Sequence, residues 1–174
     1  MKEMNINDIN ELQSIVDEKG KLINKMVNDI VDKCCSGLDS CIEEVEKELT
    51  TPTFNIQDER LYTLIARIPI ELYYGSSQLE RQGIKEDLSK AIKTEKYNEA
   101  LQDTTGTVAL KTSIAEDYAQ KETILHNINS RAYRKIKSKL EYAYELLQSL
   151  KKIQTARTLD KELTKQNNKI VGGY

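Results

Sequence analysis

The feature that most constrains this sequence is an apolar repeat at steps of three and four residues across residues 5–50. Such spacing places side chains along one stripe of an α-helix. A helix of this length needs a partner along most of its stripe to be stable. The repeat therefore predicts one long N-terminal helix with a coiled-coil-like seam. The stripe comprises Ile9, Leu12, Val16, Ile23, Met26, Ile30, Cys34, Leu38, Cys41, Val45 and Leu49.

Two further regions, residues 57–101 and 108–165, repeat the helical spacing and are separated by the loop signal "DTTGT" at Asp103–Thr107. The expected buried face of the first comprises Leu61, Leu64, Ile65, Ile68, Leu72, Leu79, Ile84, Leu88, Ile92 and Tyr97. That of the second comprises Ile114, Tyr118, Leu125, Ile128, Ala132, Ile136, Leu140, Ala143, Leu147 and Leu150.

Four short signals predict where these helices bend or end. The run "TTPT" ends the first helix, because Pro52 disfavours helix in the residue before it. Pro69 removes a backbone donor, so we expect a kink or a fresh helix start. The run Leu72–Gln78 is either a break or a helix that tolerates Gly75. The run "NINS" interrupts the last helix, with Ser130 as a possible N-cap.

These patterns predict an all-α protein with a long N-terminal helix followed by an elongated helical hairpin or bundle. Residues 1–52 form the acidic N-terminal helix, residues 53–165 the hairpin or bundle, and residues 166–174 a flexible tail. Charged residues make up 31% of the chain, which suits helices with wide solvated faces. We expect a homo-oligomer or a partner helix, because the apolar seam is too long for one short partner.

Composition argues against several chemistries. Three cysteines, Cys34, Cys35 and Cys41, are an odd number, and the single histidine, His126, completes no zinc pattern. Cys34 and Cys41 share a helix face and are expected in the core. No catalytic motif is present, so we expect a protein that is not an enzyme and holds no cofactor or metal. Without an apolar run long enough for a bilayer, a cytoplasmic location with no membrane contact is expected, in the bacterial host if the chain is phage-encoded.

Charge is distributed unevenly along the chain, although the formal net charge is only −2. Residues 1–59 hold six lysines and fourteen acidic residues, whereas residues 131–157 hold eight basic residues and two glutamates. A compact basic helix is typical of a surface that neutralises nucleic-acid phosphates, and also of an ordinary solvated face. The candidate nucleic-acid contacts are Arg131, Arg134, Lys135, Lys137, Lys139, Tyr142, Lys151 and Lys152.

Tyrosines among these basic residues add a second means of contact with nucleic acid. Tyr142 is the best placed to stack on an unpaired base. Tyr133 and Tyr144 flank the apolar stripe, so we expect them to pack inside the protein.

The order of segments over residues 61–157 resembles phage recombination mediators of the UvsY type. The first segment, "LYTLIARIPIELYYGSSQLERQGIKEDLSKAIKTEKYNEAL", is similar to a helix of that family with an aromatic pair. The second, "LKTSIAEDYAQKETILHNINSRAYRKIKSKLEYAYELLQSLKKI", is similar to its basic C-terminal helix. The resemblance implies an oligomeric helical protein that binds single-stranded DNA and helps to load a recombinase. It makes Arg131, Arg134, Lys135, Lys137 and Lys139 the first candidates for DNA contact.

Two alternatives remain open. The chain could be a protein–protein interaction module, such as a phage inhibitor of a host defence or nucleic-acid enzyme. It would then dock through the acidic N-terminal helix, with Glu43, Glu44 and Glu46 as contacts. A purely structural coiled-coil role requires neither charged surface.

Overall fold

A computed structural model of the chain describes residues 6–50 and 56–171, with side chains described for residues 10–50 and 56–166. Four helices follow one another along these residues. They are α1 (Ile6–Leu49), α2 (Asp58–Asp103), α3 (Val108–Tyr118) and α4 (Gln120–Val171). The predicted all-α class is confirmed, and the described residues contain no strand.

The predicted loop at Asp103–Thr107 is confirmed and has a clear local cause. Gly106 has a φ of 131°, a backbone conformation that side-chain-bearing residues rarely adopt. Thr107 follows as the N-cap of α3, where its hydroxyl oxygen accepts the backbone N–H of Leu110 at 3.4 Å. Gly106 therefore allows the turn between α2 and α3, and Thr107 starts α3.

The predicted interruption at Asn127–Ser130 is wrong, because α4 passes through these residues without a break. Asn129 is buried there, and its side-chain oxygen accepts a hydrogen bond from Gln82 Nε2 at 3.1 Å. A tertiary partner thus satisfies this polar residue inside the helix. The interruption lies instead at Ala119, which is the C-cap of α3. The Ala119 N–H still donates to the Ala115 carbonyl at 3.0 Å.

Helix α2 is likewise continuous through Pro69, so the predicted fresh helix start there is wrong. Of the two readings of Leu72–Gln78, the helix that tolerates Gly75 is confirmed. Gly75 is buried, and a Cβ added to it would lie 2.5 Å from Leu140 Cδ2. The glycine therefore allows α4 to approach the backbone of α2 closely.

The described contacts divide the chain into two compact units, each formed from two separate segments. Of the described residues, unit 1 comprises 6–34 and 78–136, and unit 2 comprises 35–50, 56–77 and 137–171. The division predicted from the sequence instead gives three consecutive segments, separated at residues 52 and 165. Of the predicted tail, residues 166–171 continue α4, and residues 172–174 lie outside the described residues, as does Pro52.

Unit 2 has an aliphatic core to which α1, α2 and α4 all contribute. Ile42, Ile65, Leu72 and Ile153 pack against it as partly buried side chains. Burial of such side chains contributes about 1.5–3 kcal/mol each relative to exposure. The core comprises Cys41, Val45, Ile56, Leu61, Leu64, Ile68, Leu146, Leu147 and Leu150.

Unit 1 has a smaller and more polar interior. Its buried apolar residues are Val27, Val31, Ala100, Ala115, Ala119, Ile128, Ala132 and Ile136. Four of these eight are alanines, which contribute little apolar area. Gln82, Ser89 and Asn129 are buried beside them. Buried apolar area therefore stabilises unit 1 less than unit 2.

Several residues predicted to be buried are exposed instead. In α2 the prediction is wrong for Ile84, Leu88 and Ile92, because Gln82 and Ser89 occupy the interior positions of this segment. In α3 and α4 it is wrong for Ile114, Tyr118 and Leu125, whereas the predicted positions from Ile128 to Leu150 are all buried. In α1, four members of the predicted stripe are exposed: Leu12, Val16, Met26 and Leu49.

Candidate nucleic-acid interface

In unit 1, the basic residues predicted to contact nucleic acid are Arg131, Arg134 and Lys135, and all three are exposed on α4. The Arg134 Nε donates to the Ser130 carbonyl at 3.4 Å, within its own helix. Lys135 is held by Asn28 of α1, whose side-chain oxygen accepts from Nζ at 2.7 Å. Arg131 and Arg134 are therefore the two more available cations of this set.

In unit 2, the same helix carries Lys137 and Lys139, and their environments differ. Lys139 is half-buried and donates to both carboxylate oxygens of Asp39 at 2.6 Å. This ion pair joins α4 to α1 within unit 2. Lys139 would have to leave Asp39 before it could contact a ligand. Lys137 is exposed and approaches Glu141 at 4.0 Å, a pair of little energetic weight.

Further along α4, Lys151 and Lys152 are exposed. Among the described residues, neither lysine forms an ion pair, and the same holds for Arg131 and Arg134. By contrast, Arg157 donates to Asp58 Oδ1 at 3.0 Å and to the Ile56 carbonyl. Of the cations predicted to contact nucleic acid, four on α4 therefore form no ion pair among the described residues, whereas Lys139 is committed to a contact within the fold.

The carboxylate that receives Arg157 also receives Lys161, one helical turn further along α4. Hydrogen bonds from Lys161 and Arg157 lower the pKa of Asp58 below its ordinary value. Asp58 also lies in the first turn of α2, where a negative charge is favourable. Within unit 2, Arg157 and Lys161 therefore connect α4 to the first turn of α2.

The three tyrosines of α4 only partly match their predicted positions. Tyr142, the stacking candidate, is 45% exposed, and its hydroxyl donates to Glu46 Oε1 at 3.2 Å. Partial burial, followed by this carboxylate, raises the pKa of Tyr142. Tyr133 is half-buried near Gly83, as predicted. The packing prediction for Tyr144 is wrong, because this side chain is 56% exposed.

The candidate contacts predicted from the sequence did not include a highly exposed pair of tyrosines on α2 within unit 2. Tyr73 and Tyr74 are 73% and 61% exposed, and their rings meet edge to face with centroids 5.9 Å apart. Adjacent helical residues point in different directions, and the apolar spacing favoured burial of this segment. The sequence feature that could have indicated an exposed aromatic site was the pair of adjacent tyrosines itself.

The acidic residues of the alternative docking surface differ in availability. Glu44 is half-buried in unit 2 and accepts from Arg60 at 2.6 Å and from Arg67 at 2.8 Å. Although partial burial raises the pKa of Glu44, the bonds and charges of Arg67 and Arg60 outweigh it and lower the pKa overall. Glu46 is exposed and bonded to Tyr142, and Glu43 is exposed.

Cys34, Cys35 and Cys41, which all lie in the described part of α1, form no disulfide. Cys41 is buried in the core of unit 2, as predicted, and burial raises the pKa of its thiol. Cys34 is only half-buried, and its neighbour Cys35 is the buried one. Within the described residues, no group of three or more His, Cys, Asp or Glu side chains could hold a metal ion.

No helix of the described part of the chain combines the length and apolar character that crossing a membrane requires. The chain matches no protein-family model, and no curated protein and no solved structure is similar to it.

Proposed function

We propose that this chain is a non-enzymatic accessory protein that binds single-stranded nucleic acid through basic residues of α4. The observation that carries the proposal is that four predicted contacts are exposed and engaged in no ion pair within the described residues. They are Arg131 and Arg134 in unit 1, and Lys151 and Lys152 in unit 2. Guanidinium and ammonium groups that form no ion pair can neutralise backbone phosphates without first leaving a carboxylate.

The bonds of the remaining candidates narrow the contact set. Lys139 would have to leave Asp39, and Lys135 would have to leave Asn28, before contacting a phosphate. Both are therefore secondary contacts. The resemblance to UvsY-type mediators implies the same partner, single-stranded DNA, and a role in recombination in a phage-infected cell is the corresponding finer proposal. Homo-oligomer formation and a cytoplasmic location belong to this proposal as well.

The alternative is a protein partner that docks on Glu43, Glu44 and Glu46 of α1. One of these three carboxylates is already engaged in ion pairs within the chain. Glu44 is held by two arginines, so only Glu43 and Glu46 remain accessible without breaking an ion pair. A protein partner of the acidic helix therefore remains the second candidate, and the experiment below separates the two.

Charge reversal at the free cations tests the proposal. Arg131→Glu combined with Arg134→Glu should weaken binding of a labelled single-stranded oligonucleotide by at least tenfold. Each lost phosphate contact should also reduce the salt slope by about 0.7. Lys165→Glu, an exposed cation near the end of α4, is the matched control and should leave binding nearly unchanged. Unchanged affinity in the double variant would refute the assigned surface, and a wild-type chain that binds no oligonucleotide would favour a protein partner.

A further inference from the structure

The first half of α1 is a helix without packing in unit 1. From Asn10 to Met26 no described side chain is buried, and Val27 is the first buried residue of the helix. This segment is about 25 Å long. In proteins most helical stability comes from packing of an apolar face rather than from intrinsic propensity. A partner that covers this segment would therefore stabilise it.

The uncovered segment carries a band of large apolar side chains. Their spacing of three, four, six and seven residues puts them on one side of the helix. The band comprises Leu12, Ile15, Val16, Leu22 and Met26, which are 43–61% exposed, together with the half-buried Ile23. Contiguous exposed apolar surface of this kind is typical of an interaction site.

The charges around this band change sign at its middle. Residues 10–18 contain three acidic residues and no basic one, and residues 19–26 contain three lysines and no acidic one. The acidic residues are Glu11, Asp17 and Glu18, and the basic ones are Lys19, Lys21 and Lys25. No ion pair involves any of the six among the described residues. These charges are therefore free to meet a partner.

We propose that this band is covered by the same band of a second copy, with the two α1 helices antiparallel. An antiparallel pair about a two-fold axis between residues 18 and 19 sets the acidic half of one copy against the basic half of the other. A parallel pair in register would place Lys19, which lies within the band, opposite the same lysine. Like charges at the seam of a helix pair oppose that orientation.

Sedimentation velocity of the full chain over a range of concentrations tests the pairing. Wild type should reach twice the 19.9 kDa chain mass. Leu22→Glu and Val16→Glu should each shift the dissociation constant upward by at least tenfold. Both side chains are exposed, so the far-ultraviolet circular dichroism of the variant monomers should still be helical. Leu163→Glu, an exposed apolar residue of α4, is the matched control and should leave the mass unchanged.

Charge exchange tests the antiparallel orientation. Glu18→Lys alone should weaken the dimer roughly tenfold, since a two-fold interface contains each charge contact twice. Adding Lys19→Glu should restore association, because residues 18 and 19 of the two copies face each other across the two-fold axis and then again carry opposite charges.

Three results would overturn the proposal. A chain that stays monomeric at every concentration would refute the pairing. A dimer whose stability Leu22→Glu does not change would refute the assigned surface, and a dimer that is insensitive to both charge variants would refute the antiparallel arrangement.

Discussion

Glu44 is bound by two arginines of α2 within unit 2, one at each carboxylate oxygen. Glu44→Gln should lower the free energy of unfolding at neutral pH by about 1 kcal/mol or less, since the three side chains are partly solvated. Glu43→Gln is the adjacent control, because Glu43 is exposed and should matter little. Urea denaturation of the two variants gives the comparison, and equal losses would contradict the assigned role.

The pH dependence of Glu44 follows from its lowered pKa in the folded state. A carboxylate with a lowered pKa contributes its full stability above its unfolded pKa of about 4.3. That contribution is lost as the pH falls through the folded pKa. Below pH 4, the stability difference between wild type and Glu44→Gln should therefore shrink. A constant difference from pH 7 down to pH 3 would contradict this expectation.

Two glycines of long helices should respond oppositely to alanine. Gly75→Ala should lower stability by about 1 kcal/mol, because its Cβ meets the buried Leu140 and the strain exceeds the gain in helix propensity. Gly20→Ala should raise stability by about 0.5–1 kcal/mol, because no described atom lies within 4 Å of its Cβ. Urea midpoints of the two variants measure both effects. A shift of the same sign in both would show that backbone propensity alone governs these positions.

At the scale of elements, α4 combines structural cations with free ones. Lys139→Ala should lower stability by about 1 kcal/mol, because Asp39 loses a half-buried partner. A double-mutant cycle with Asp39→Ala isolates the coupling of the pair. Lys137→Ala is the control, since its nearest carboxylate oxygen is 4.0 Å away. A coupling energy near zero would contradict the structural role of Lys139.

The helix boundaries show which parts of the fold the sequence could predict. α1 and α2 begin and end within about two residues of the predicted positions. Asp58 in the first turn of α2 and Thr107 at the N-cap of α3 are local signals that a sequence displays directly. The break at Ala119 has no glycine or proline to mark it. The polar run at Asn127–Ser130 looked like a break because its partner, Gln82, is 47 residues away from Asn129 in the chain.

The candidate site was predictable to a similar extent. The local charge pattern correctly placed Arg131, Arg134 and Lys152 on the exposed side of α4. It could not identify Lys139 as an ion-pair partner, because Asp39 lies 100 residues away along the chain. Spacing gives the face of a helix, whereas the partner on that face depends on tertiary contacts.

At the scale of the whole molecule, the apolar stripes continue beyond the residues that are buried. The stripe of α1 is continuous in sequence, yet only its second half lies in a described core. Periodicity has the same form whether the partner is in the same chain or in another. The interior of unit 1, with its buried Gln82, Ser89 and Asn129, lacks the aliphatic content that such stripes predicted.

The central proposal is that α4 binds single-stranded nucleic acid, and one titration tests it most directly. Fluorescence anisotropy of a labelled single-stranded oligonucleotide, measured with the full chain at several salt concentrations, gives affinity and salt slope together. With Arg131 and Arg134 of unit 1 in contact, the slope of log K against log salt should be about −1.4, and each further phosphate contact should make it steeper by about 0.7. No binding at low salt, or binding that is insensitive to salt, would contradict the proposal.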